Sequence, residues 1–136
     1  MLERMAQTKI PSIQLGTILV LIMCMLFCCR TTQQAETANM VGDDKGWTFG
    51  VSDWPDGKSF KTGDILVFMY DRTKHDVVVV RDDQHGYDSC TVPEVVAGWY
   101  QTGYDEIKLE QGITFFISSY PQNCASGMKL AINITA

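Results

Sequence analysis

Lys74-His75-Asp76-Val77-Val78-Val79-Val80-Arg81 is the stretch that decides the fold class. Four successive valines are β-branched, stiff at χ1 and suited to extended backbone. The run is unbroken and does not alternate, which predicts a strand buried on both faces, as at the centre of a sandwich. The neighbouring segments agree. Asp64-Ile65-Leu66-Val67-Phe68-Met69-Tyr70 is an apolar and aromatic run after the turn signal Lys61-Thr62-Gly63. Ile107-Lys108-Leu109 leads into the turn Glu110-Gln111-Gly112, and Thr114–Ser118 and Met128–Ile134 read as the last two strands. In the final one, Leu130, Ile132 and Ile134 alternate with Lys129, Ala131 and Asn133, the period of a half-buried strand. Thr91–Ala97 predicts a short helix ahead of Gly98, and Asp82-Asp83-Gln84-His85-Gly86 a polar turn with a solvated His85. Short strands separated by turns make an all-β sandwich. No internal repeat, low-complexity tract or second domain interrupts it.

The 136 residues suit one domain, and 46% hydrophobic with 20% charged is the balance of a globular chain. The amino terminus carries Arg4 and Lys9, then no charge from Ile10 to Cys29. Its dense apolar part, Ile18–Cys29, is 12 residues long, the length of a secretory h-region and short for a membrane span. Arg30 and a polar stretch follow, then Ala35-Glu36-Thr37-Ala38 as the cleavage region. Residues 1–38 are therefore expected to be a secretory signal with its cleavage region, and 39–136 the mature domain. An uncleaved signal anchor is the alternative. Cys24, Cys28 and Cys29 fall in the signal and serve there as small apolar residues. The chain stops at Ala136 without an apolar tail, so a lipid-anchor signal is not expected and the product is expected to be released.

From Asn39 onward there are 8 Lys/Arg and 14 Asp/Glu, a net charge of −6. That excludes the basic stripe of a nucleic-acid binder and bulk attraction to anionic polysaccharide or lipid.

Downstream, Phe115-Phe116-Ile117-Ser118-Ser119-Tyr120-Pro121-Gln122-Asn123-Cys124-Ala125-Ser126-Gly127-Met128 completes the frame begun at His75. With Val41-Gly42-Asp43, Gly46-Trp47-Thr48-Phe49, Trp54-Pro55 and Phe60-Lys61-Thr62-Gly63-Asp64, it resembles the phytocyanins, the plant blue-copper proteins, and within them the plantacyanin or basic blue group. The resemblance covers roughly residues 41–134. It implies a cupredoxin-like Greek-key sandwich, antiparallel, of about seven to eight strands with one or two short helices. It also implies a structural disulfide between Cys90 and Cys124, the two cysteines left after signal removal; pairing is also what an oxidising compartment favours, two free thiols being the alternative. The basic character of the nearest subgroup is absent here.

In the family, copper is held by a His on the first segment and Cys-x4-His-x4-Met on the second. Here the second reads Ser118-x4-Asn123-x4-Met128. A blue-copper centre needs two imidazoles and a thiolate near one plane, with a weak axial ligand. A serine hydroxyl stays protonated at neutral pH, and an amide oxygen suits hard cations. His75, Ser118, Asn123 and Met128 are thus expected to be vestigial copper positions, with no cofactor of the blue type. A weaker copper site on His75 and Met128, serving electron transfer, is the alternative. Ser118 beside His75 also raises the remote alternative of a hydrolase, for which no Gly-x-Ser-x-Gly elbow or third orienting group is visible.

The expected function is non-enzymatic: a secreted, monomeric extracellular protein of the cell wall (apoplast), off the membrane once the signal is cut. It would bind a cell-wall or cell-surface protein or glycan through the loops around the old copper site, with Tyr120, Pro121 and Met128 as the contact rim. Asn133-Ile134-Thr135 is an N-glycosylation sequon, with Asn133 as the candidate acceptor.

Overall fold

A computed structural model describes residues 12–28 and 35–136. The chain divides into an amino-terminal unit and a compact unit spanning Glu36–Ala136. In the first, α1 (Ser12–Cys28) is a 17-residue apolar helix whose side chains from Ile18 to Phe27 are exposed. No helix among the described residues is long and apolar enough to cross a membrane. Arg4, Lys9, Cys29 and Arg30, on which part of the leader reading rests, lie outside the described residues. The compact unit begins at Glu36, ahead of the expected start at Asn39.

The second unit is a two-sheet sandwich. Strands β1 (Ala38–Met40), β2 (Ile65–Met69) and β5 (Tyr104–Lys108) form one sheet in the order β1-β2-β5. Strands β4 (Gly98–Tyr100), β3 (Val77–Arg81), β6 (Gly112–Ile117) and β7 (Lys129–Ile134) form the other, in that order. Short helices α2 (Gln84–Ser89) and α3 (Pro121–Ala125) complete it, with 3₁₀ turns at Asp43–Lys45 and Val51–Asp53. The pairings are antiparallel except β1 with β2, which run parallel from Ala38↔Ile65 to Met40↔Val67. The wholly antiparallel expectation is corrected at that edge.

The valine run occupies the position its pattern demands. Val77, Val78, Val79 and Val80 are all buried. Val77 and Val79 face the main core with Trp47, Leu66, Phe68, Phe116, Leu130 and Ile132. Val78 and Val80 face a second cluster on the other side of the sheet, with Phe115, Ile117 and the Cys90–Cys124 disulfide. Tyr87 of α2 lies over Phe115 there, ring centroids 5.0 Å apart. This second cover explains why β3 and β6 need no polar face. The disulfide closes a 34-residue separation, which stabilises by about 4 kcal/mol in the chain-entropy view.

Two expectations shift between α2 and β4. The helix falls at Gln84–Ser89, in place of the polar turn, because the Asp83 carboxylate caps it by accepting from Gly86 N at 2.9 Å. Thr91–Ala97 is irregular: Pro93 lacks an N–H, and the segment is drawn back to the sheet through Ala97 N donating to Val79 O. His85 sits on α2 and is exposed, as a solvated residue should be. Asn133 is exposed on β7, the edge of its sheet.

Candidate functional site

One end of the sandwich gathers the residues singled out by the motif. β3 starts there, β6 ends there and β7 begins there. His75 is delivered by the turn before β3. Asp71 O accepts both Lys74 N and His75 N at 3.0 Å, and Asp71 Oδ1 accepts Thr73 N at 2.9 Å and Thr73 Oγ1 at 2.6 Å. Those two Thr73 bonds hold the Asp71 carboxyl below its ordinary range. Asn123 and Cys124 ride on α3, so the disulfide ties the Asn123 helix to Cys90 at the end of α2. Gly127 then turns the chain into β7 with φ +87°; a Cβ there would meet Gly50 N at 2.9 Å, so the position demands glycine.

Ser118 N donates to Met128 O at 3.1 Å, and Met128 N donates to Asn123 O at 3.0 Å. The backbone frame therefore brings Ser118, Asn123 and Met128 together as the spacing implied. The Asn123 amide reaches His75, Nδ2 to Nδ1 at 3.5 Å, a long contact that places the ring proton on Nε2 when the amide donates. Phe49 meets the His75 ring edge-on, centroids 5.9 Å apart.

The donor chemistry differs at each position. His75 and Asn123 are half-buried, while Ser118 and Met128 have 0% exposure. Ser118 Oγ accepts Tyr120 N at 3.2 Å. Met128 packs in the main core with Trp47 and Leu130. Its assignment to the contact rim is corrected: a thioether with no exposed surface presents nothing to a partner. Tyr120 and Pro121 are exposed as expected and line a shallow cleft of about 400 Å³ with Lys74, Gln122 and Asn123.

The residue that sequence reasoning passed over is Asp76. It is 2% exposed and joins three parts of this end. Its carboxylate accepts Trp99 Nε1 from β4 and Ser119 N from the loop after β6, each at 2.9 Å, and it also pairs with Ser119 Oγ. Its backbone O accepts Trp47 Nε1 at 2.9 Å. The available signal was a lone carboxylate opening an otherwise apolar strand, where burial requires partners. The exposed Trp99 and Phe49 were also missed, since neither lies in the ligand motif.

A family model described as a plastocyanin-like domain matches residues 47–128. The basic blue protein of Cucumis sativus is 47% identical over 94 residues, spanning 69% of this chain and 95% of that protein. This chain belongs to the phytocyanin family. The chemocyanin of Lilium longiflorum is 41% identical over 118 residues, covering 87% of each. Among solved structures, cucumber basic protein, a blue copper protein, superposes with a TM-score of 0.68 at 43% identity, over 73% of this chain and all of that one. Cucumber stellacyanin superposes at 0.64 with 28% identity, over 75% and 98%. These confirm the cupredoxin-like fold of this phytocyanin.

The family implies blue copper at this end of the sandwich. The site offers one imidazole, one buried hydroxyl, one amide and one buried thioether, and a hard hydroxyl stands where a soft anionic donor is needed. Among the described residues no cluster of three or more His, Cys, Asp or Glu could hold a metal ion. The donor set does not fit a blue-copper centre.

Proposed function

We propose that this phytocyanin is an extracellular contact protein that works through the loops at the His75 end without type 1 copper. The observation that carries the reading is the pairing of an intact frame with an altered donor set: Ser118 and Asn123 occupy the frame, and the Asn123 amide lies against His75. Secretion is supported by the apolar α1 segment and by a disulfide, which persists in oxidising compartments. The contact surface is the neutral aromatic rim of Phe49, Trp99 and Tyr120, each exposed in a chain otherwise rich in carboxylates. The partner is a cell-wall or cell-surface protein or glycan, met by a monomer in the apoplast. Asn133, exposed on its edge strand, is the glycan acceptor of the sequon.

A second reading, an electron carrier with an altered copper site, draws support from the likeness to cucumber basic protein, a blue copper protein, and from His75 itself. A pull-down from plant cell-wall extract, with and without chelator, separates the two. Contact binding survives chelator and falls about tenfold or more in Tyr120→Ala, because exposed aromatic anchors carry much of the contact energy. Binding that vanishes with chelator and returns with copper establishes the second reading.

A further inference from the structure

We infer that proteolytic processing cuts the leader on the amino-terminal side of Glu36, so that the mature chain retains Glu36 and Thr37 as working parts of the first sheet. This rests on the reading of α1 as a secretory leader. It places the cut at the start of the cleavage region Ala35-Glu36-Thr37-Ala38 that the sequence marks.

The decisive residue is Asp64, 4% exposed at the entrance to β2. Both of its carboxylate oxygens are engaged by backbone. Oδ1 accepts Thr37 N at 3.2 Å and Oδ2 accepts Lys61 N at 3.0 Å. Thr37 O in turn accepts Ile65 N at 2.9 Å, and the parallel pairing of Ala38, Asn39 and Met40 with Ile65, Leu66 and Val67 follows at once. Glu36 pairs with Lys108 on β5, across the same sheet. Asp64 is thus a clamp that fixes the register of β1 one residue before the strand begins. Val41, next along, is fully buried and bonded to Val67 O, so the segment cannot detach without opening the core.

A cut after Ala38 would remove the donor to Asp64 Oδ1, the acceptor of Ile65 N and the Glu36–Lys108 pair together. A buried carboxylate oxygen would be left unpaired, which is costly. β1 is an edge strand with one partner only, so no neighbour would compensate. A cut at the Ala35–Glu36 bond loses none of these contacts and sets a small residue at the scissile carbonyl, as leader processing prefers. Hydrolysis there adds one water across the amide, leaving a carboxylate on Ala35 and an ammonium on Glu36.

The test is amino-terminal sequencing and intact mass of the full chain expressed through a plant secretory pathway and collected outside the cells. A first residue at Glu36, or upstream of it with the leader gone, is the expected result. A first residue at Thr37, Ala38 or Asn39 in folded protein overturns this inference and leaves the secretory reading standing. A chain still carrying α1 overturns both. Independently, hydrogen exchange on Asp64→Ala should show the Thr37 and Ile65 amides at least tenfold faster, with β6 and β7 unchanged. Unaltered exchange at those two amides contradicts the clamp.

Discussion

His75 and Asp76 are adjacent in the chain and sit in opposite surroundings. Asp76 is buried and bonded to Trp99, Ser119 and, through its backbone, Trp47. His75 is half-buried and touches its neighbours through one long amide contact and one aromatic edge. The first belongs to the frame that positions three loops. The second belongs to the set of side chains that the frame presents at this end. A site's scaffold and its chemistry are thus separately encoded: here the buried Asp76 bonds the loops together, while the side chains they present do not make a blue-copper donor set.

The comparison can be broken by substitution. Asp76→Ala carries the largest expected effect, about 4 kcal/mol of stability, because three hydrogen bonds to one buried carboxyl group are lost together. Urea unfolding measures it, and a loss under 1 kcal/mol would mean the end is not held by Asp76. Met128→Ala comes next, at about 3 kcal/mol, as a core cavity and not as a lost contact surface. The same protein, kept below its unfolding range, should bind its partner normally; selective loss of binding would return Met128 to the rim. His75→Ala should change stability by about 1 kcal/mol or less, the scale of a half-buried side chain with few partners. A cost equal to that of Asp76→Ala would erase the distinction between the two neighbours.

The smallest effect is on the turn that presents His75. The Asp71 carboxyl is held below its ordinary range by the Thr73 bonds. Its contribution is therefore present above the unfolded carboxylate value and is lost as pH falls through the depressed folded value. An NMR titration of Asp71 should show that depressed midpoint, and Thr73→Ala should return it toward ordinary.

The reach of the sequence differed from region to region. The valine run, the alternation of β7 and the spacing from Ser118 to Met128 were readable because periodicity and spacing map directly onto strands and loops. β1 and β4 are three residues each, too short to leave a periodic trace. The parallel edge depends on Asp64 reaching Thr37, a contact 27 residues apart that no local pattern encodes. Asp76 was hidden for the same reason: its partners lie 23 and 43 residues away. The helix at Gln84–Ser89 turned on one capping carboxylate, and the burial of Met128 on the packing of two sheets. The position of a side chain along the motif was legible, whereas its depth was not.

The frame at the His75 end is sound, and its donor set does not suit blue copper. The most direct test is the visible spectrum of purified mature protein titrated with Cu(II), beside the double variant Ser118→Cys with Asn123→His. The unaltered protein should give no intense copper–thiolate band, and the double variant should turn blue with stoichiometric copper. An intense blue band in the unaltered protein, or a double variant that folds and stays colourless, would contradict the account.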